Sequence, residues 1–346
     1  MVKANLHNAS TLYTAVNWNQ APYSLGPRNA FFTYKTADGL VIDEVHSTQF
    51  EYLKNPEDGP SGSNPGEYID MWYEILPEEV LAGKAADHTV PLFLLLHGMG
   101  DDPLQCVDEL GFLNVAGKER FAIIAPYHLV QRTRAAEVLP PLVDYMLEKF
   151  PALDPSRVYV TGYSMGGAAT LNVINGQNKL FAAAVPHAPA IFGGENEIVK
   201  QDDVQIPIMF TTATYDFCGF GGVSGFAGDP NPAEAYEPEH LKAVMADRIN
   251  EYMQLNGFDQ IEYDYDKYEI SGFRADLYKE ITINNEYRNY SWFFVNDAGV
   301  PMVGLNVTDF LPHGLYQEFG PITWDFVKHY SRDLETGEVV YDPYVD

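Results

Sequence analysis

The stretch Val158–Thr170, "VYVTGYSMGGAAT", decides how this chain is read. A β-branched and aromatic run leads into Gly162-Tyr163-Ser164-Met165-Gly166, and small residues follow. The pattern predicts a strand over Arg157–Thr161, a sharp corner carrying Ser164, and a helix over Gly167–Asn175. Room explains the two glycines. Strand and helix nearly touch at such a corner, so Gly162 and Gly166 must lack a Cβ. The turn lifts the serine hydroxyl clear of the sheet. It also aims the Met165 backbone N–H at the same spot, at the positive end of the helix. Glycines around a serine are common in loops. A readable strand before them and a helix after them make this a G-x-S-x-G nucleophile elbow.

Outward from the corner, strands and helices alternate. "VPLFLLLHG" and "RFAIIAP" are continuous apolar runs, as strands buried on both faces are. A helix around Ala135 to Phe150 places Val138, Leu142, Tyr145, Met146 and Phe150 on one side. Beyond the elbow come the strands "FAAAVP" and "IPIMFTTAT". This alternation predicts an α/β fold, a mostly parallel sheet with helices on both faces. Its reactive groups should collect at the carboxyl ends of the strands.

Residues 1–66 read as an N-terminal β extension packed on the core, with a hairpin turning at Ala37-Asp38-Gly39. "EYIDMWYEILP" reads as an edge strand. Residues 67–346 form the catalytic domain, interrupted before its last strand by an insertion over about 219–308, a candidate lid or substrate wall. A final helix is expected over "GLYQEFGPITWDFVKHYS".

Composition narrows the function. Asp and Glu number 49 against 21 Lys and Arg, a net charge of −28 that repels nucleic acid and favours a neutral substrate. No run approaches the ~20 apolar residues of a membrane span. The start, "MVKANLHNAS", lacks a signal-peptide core, which fits either a cytoplasmic protein or a mature form whose leader is gone. Two cysteines, Cys106 and Cys218, exclude a disulfide framework and are expected as buried thiols rather than one bridge. No metal set with ligand spacing and no phosphate-binding glycine loop is present, so no cofactor is expected.

A serine hydroxyl needs a base beside it. At an elbow of this kind the chain order is Ser, then Asp or Glu, then His. Of nine histidines, His97, His128 and His187 follow strands but come too early to serve as base. His313, in "TDFLPHGLYQEF", sits after the strand "VPMVGLNVT" and before the last helix, where an imidazole can swing over the serine. Asp216 ends "IPIMFTTATYDF" at a strand's carboxyl end and is the preferred acid; Asp309 and Asp229 are its rivals. Met165 N–H supplies one oxyanion donor, and Met99, in the loop His97-Gly98-Met99-Gly100-Asp101, the other. His97, Tyr163, His187, Tyr215, Phe217 and Trp292 are candidate pocket walls, with Phe220, Phe293 and Phe294 as further aromatics.

Taken together, "LLLHGMGDD", "VTGYSMGG", "TTATYDF" and "LPHGLYQEFGPITWDFVKHYSRD" resemble the esterase branch of the α/β-hydrolases. The likeness is to feruloyl-esterase-like and polyhydroxybutyrate-depolymerase-like bacterial proteins and covers Tyr68 to Asp333. It implies ester hydrolysis through an acyl-enzyme, with Ser164 as nucleophile, His313 as base and Asp216 as orienter. Aryl (feruloyl-type) or short-chain esters are the expected substrates. The rival readings are a prolyl-oligopeptidase-like serine peptidase, a polyester depolymerase, and a catalytically dead fold used for binding.

Overall fold

Every residue of Val90–Leu96 is buried, as a strand covered on both faces must be. It lies inside a twelve-stranded sheet in the computed structural model, which describes residues 13–15, 30–46, 71–127, 135–191, 204–218, 238–283 and 286–345. In chain order the strands are β1 (Tyr13–Ala15), β2 (Ala30–Thr36), β3 (Leu40–His46), β4 (Met71–Pro77), β5 (Val90–Leu96), β6 (Ala122–Pro126), β7 (Leu153–Tyr163), β8 (Ala183–His187), β9 (Ile208–Tyr215), β10 (Leu277–Ile283), β11 (Tyr287–Val295) and β12 (Pro301–Pro312). Side by side they run β1-β2-β3-β4-β6-β5-β7-β8-β9-β12-β11-β10. From β6 to β12 across the sheet all pairs are parallel. Antiparallel strands extend both flanks.

Helices cover both faces. On one, Pro140–Lys149, Met165–Gln177 and Pro238–Leu255 bury Leu142, Met146, Leu171, Ile174, Ile249 and Tyr252 against Leu94, Val160, Phe210 and Leu305. On the other, Pro103–Glu109, Phe112–Glu119 and Phe319–Val327 bury Val107, Phe112, Phe319 and Phe326 against Phe93, Leu95, Tyr159 and Val185. Each of these large apolar side chains contributes roughly 1.5–3 kcal/mol by leaving water. Two filled layers, one on each face, fix the strands from which the loops of the site emerge.

Four expectations need correction. Strand β4 is interior, paired with β3 on one side and β6 on the other. Its Glu74 is fully buried, and one carboxylate oxygen, Oε1, accepts from Lys149 Nζ at 2.9 Å and Tyr145 Oη at 3.0 Å. The helix expected over 135–150 divides into Ala135–Val138 and Pro140–Lys149, because Pro140 and Pro141 cannot supply interior helical N–H groups. The last helix is only Phe319–Val327. Pro321 fits a first turn alone, and Tyr330–Arg332 turns away to pair with Val339–Tyr341.

The fourth correction concerns the insertion over 219–308. Its described part, 238–283 and 286–308, is built into the sheet rather than over it. Helix Pro238–Leu255 buries Met245, Ile249 and Met253 in the core, and β10 and β11 continue the sheet beyond β12. Residues 219–237 and most of 1–66 lie outside the described residues. No helix among the described residues is long and apolar enough to cross a membrane. Cys106 and Cys218 are both buried, and neither forms a disulfide.

Candidate active site

Strand β7 ends at Tyr163, and the next residue, Ser164, takes φ 56° and ψ −114°. L residues avoid this region, and holding one there costs on the order of 1–3 kcal/mol. The corner is as cramped as its glycines suggest. A Cβ on Gly162 would stand 2.4 Å from the Gly166 carbonyl oxygen, and one on Gly166 only 2.1 Å from the Leu96 carbonyl oxygen. Backbone bonds hold the strained residue: Ser164 N–H donates to His187 O at 2.9 Å, and its carbonyl accepts from Ala168 and Ala190 at 3.0 and 2.9 Å.

Asp216 and His313, the expected acid and base, meet through sheet register. After a register shift past Thr308, Pro312 on β12 lies opposite Tyr215 on β9. Asp216 and His313 each follow one of these partners, so the two side chains emerge together. His313 Nδ1 lies 2.8 Å from Asp216 Oδ1, and His313 Nε2 lies 3.0 Å from Ser164 Oγ. Asp216 is almost wholly buried and also accepts the Cys218 N–H at 2.7 Å. A buried carboxylate bonded to Nδ1–H leaves the Nε2 lone pair facing the serine. The imidazole is held between two rings, stacked on Tyr163 at 4.7 Å and tilted against Phe217 at 4.4 Å. The rival Asp309 is occupied elsewhere, its Oδ1 accepting from Thr214 Oγ1 at 3.0 Å and Phe310 N–H at 3.1 Å. Asp229, His128 and Phe220 lie outside the described residues.

Both expected oxyanion donors belong to segments that flank Ser164. Met165 opens helix Met165–Gln177, where N–H groups have no acceptor within the helix itself. Met99 stands in the turn after β5 with its side chain 78 % exposed. That turn is anchored from behind: the buried His97 bonds through Nδ1–H to Gly98 O at 2.6 Å and stacks on Tyr127. His97 is therefore a support of the loop. Asp101 packs beside Gly98 and Tyr163, and burial raises its carboxyl above the usual range despite the nearby His97 and His313.

Among the other expected wall residues, Tyr163 and Phe217 touch the imidazole, and Tyr215 is 44 % exposed beside the ring of Phe310. Two do not belong to the site. His187 is fully buried, bonded to Thr211 Oγ1, with Thr323 Oγ1 3.0 Å from Nε2 and Phe319 stacked on its ring. Burial without a charged partner lowers its pKa to about 3, so it is a neutral core residue. Trp292 lies on β11, packed on Tyr290 and Tyr278, two strands beyond β9. Nothing in the sequence pattern places Tyr127 beside His97 or Phe310 beside Tyr215, and it marks Asp101 only as part of the turn after β5. A cavity of about 870 Å³, walled by Phe293, Trp324 and Phe326, lies along β10 and β11 and does not include Ser164. The fold also gathers what spacing hides: one donor atom each from Asp216, Cys218 and His313 lies within 4.8 Å of the others.

A parallel sheet covered on both faces, with a serine on a strained elbow, an acid after a later strand and a histidine after the last parallel strand, has the α/β-hydrolase fold. The model of the prolyl oligopeptidase family matches residues 140–192, which contain the elbow. The bifunctional acetylxylan esterase/xylanase of Neocallimastix patriciarum is 31 % identical over 145 residues, covering 39 % of this chain and 21 % of that protein. The chain thus spans about a fifth of the length of that relative. Among solved structures, the acetyl xylan esterase of Aspergillus awamori is 14 % identical with a TM-score of 0.47, over 83 % of this chain and 99 % of that one. A mutant feruloyl esterase module of Clostridium thermocellum, complexed with sinapinate, is 10 % identical with a TM-score of 0.47, over 85 % and 88 %.

Proposed function

We propose that this chain is a serine carboxylic-ester hydrolase that works through an acyl-enzyme. The observation that carries this reading is the unbroken line from Ser164 Oγ through the His313 ring to Asp216, with links of 3.0 and 2.8 Å. His313 takes the serine proton at Nε2 as Oγ attacks the ester carbonyl carbon. Asp216 holds the ring in the required tautomer and stabilises the imidazolium that forms. The oxyanion of the tetrahedral intermediate is met by the Met165 and Met99 N–H groups, where one donor contributes on the order of 3–4 kcal/mol. His313 then protonates the departing alcohol. Water, deprotonated by the same ring, releases the acid and restores Ser164.

The relative named as an acetylxylan esterase/xylanase supports ester over amide substrates. Aryl (feruloyl-type) and short acyl esters are the substrate classes we assign, on uncharged groups that an acidic surface does not repel. The family match over 140–192 favours the second reading, a serine peptidase sharing the elbow. The two part on p-nitrophenyl acetate and methyl ferulate against peptide anilides. Turnover of anilides alone rejects the esterase. A fluorophosphonate probe should label the parent chain and not Ser164→Ala; equal labelling of both removes Ser164 from the mechanism.

A further inference from the structure

The corner that holds the acid and the base also holds a sulfur atom that ester hydrolysis does not use. Donor atoms of Asp216, Cys218 and His313 lie within 4.8 Å of one another. The local fold places them so. The Cys218 N–H donates back to Asp216 Oδ1 at 2.7 Å, a tight turn that packs thiol and carboxylate together, and the β9–β12 register brings His313 in from the other strand. Asp216 and Cys218 are 2 % and 1 % exposed, and the His313 side chain, at 11 %, borders them on the side of Ser164.

We propose that this corner binds a thiophilic divalent cation of the zinc(II) or cadmium(II) kind, and that the bound ion reversibly shuts off the hydrolase. Its regulatory meaning rests on the ester-hydrolase reading; the binding itself does not. One thiolate, one imidazole nitrogen and one carboxylate oxygen form a donor set suited to zinc. With bonds of about 2.0–2.3 Å, tetrahedral ligand atoms stand roughly 3.2–3.7 Å apart, so closing the set needs side-chain shifts of about an ångström. Hard cations such as Mg²⁺ prefer all-oxygen shells and gain nothing from the sulfur. The surrounding charge of −28 concentrates cations at the surface.

Proton bookkeeping makes the ion an inhibitor. His313 Nδ1 faces Asp216 at 2.8 Å across a shared proton, and the cation takes that proton's place. Nδ1 then gives its lone pair to the metal, and the neutral ring carries its proton on Nε2. The Cys218 thiol loses a proton to solvent, so one proton leaves per ion bound. A protonated Nε2 cannot accept the hydrogen of Ser164 Oγ, and the base is lost with every side chain still present.

Cadmium titration tests this through the ultraviolet absorbance of the cadmium–thiolate bond and, in parallel, p-nitrophenyl acetate turnover. The parent chain should bind one ion per chain, with absorbance rising as turnover falls and a chelator restoring both. Cys218→Ser and Cys218→Ala should keep turnover while weakening both responses by more than about tenfold. Cys106→Ser should behave as the parent, and Mg²⁺ should do nothing. Parent-like inhibition in both Cys218 variants, or absorbance that follows Cys106, overturns the proposal. If no ester is turned over at all, the hydrolase reading fails alone, and the absorbance titration still decides the cation site.

Discussion

The rings of Tyr163 and His313 lie nearly parallel, with centroids 4.7 Å apart and planes 26° from one another. Tyr163 is the residue just before Ser164, so one corner supplies both the proposed nucleophile and the surface against which the His313 ring rests. A ring pair of this kind contributes about 0.5–1.5 kcal/mol beyond area burial. Tyr163→Phe keeps the stack and should keep kcat near the parent value. Tyr163→Leu frees the imidazole and should lower kcat roughly three- to tenfold with little change in KM. Steady-state kinetics on a p-nitrophenyl ester read the split, and equal loss in both variants would assign the effect to the hydroxyl instead.

Of the aspartates near His313 in sequence or space, only Asp216 bonds to its ring. Asp216→Asn removes the acceptor that fixes the tautomer and should lower kcat on the order of 10³–10⁴-fold. Asp309→Asn disturbs only its bonds to Thr214 and Phe310 and should leave kcat close to the parent. A severe loss in the second variant with a mild one in the first would reverse the assignment.

What was legible and what was not follows from range. The elbow could be read because its steric demand falls on residues two positions either side of Ser164. The core strands could be read because burial on both faces leaves continuous apolar runs such as Val90–Leu96. His187 and His313 both follow strand-like runs, and sequence does not say whether a ring turns up toward the site or down into the core. Thr323, 136 residues further on, decides it for His187. The same limit misplaced Trp292 and the described part of the insertion, since only pairing across β9, β12 and β11 shows that these residues extend the sheet. Strand β4 read as an edge because its partners β3 and β6 lie far from it along the chain and only their pairing shows it to be interior.

His187 makes stability depend on pH. Burial lowers its pKa from 6.5 to about 3. A depressed histidine favours folding while neutral, so its contribution is complete above about pH 6.5 and is lost as pH falls toward 3. The loss runs at up to about 1.4 kcal/mol per pH unit across that window. Urea midpoints of the parent should therefore fall more steeply between pH 6.5 and 4 than those of His187→Gln, which cannot titrate. Parallel slopes in the two proteins would show that the ring does not resist protonation.

The strain at Ser164 offers a test that does not depend on any substrate. At φ 56° and ψ −114° a side chain is penalised whatever its chemistry, and only glycine escapes. Ser164→Ala and Ser164→Gly should both be inactive, since neither carries a hydroxyl. They should differ in stability. Glycine pays a larger entropy on folding, usually about 0.5–1 kcal/mol against alanine, so at an unstrained site it would be the weaker variant. Here relief of the backbone should reverse that order, making Ser164→Gly more stable than Ser164→Ala by about 1 kcal/mol in chemical denaturation. If alanine is the more stable of the two, the corner is relaxed in solution and the serine is not held in the raised position that attack on a carbonyl requires.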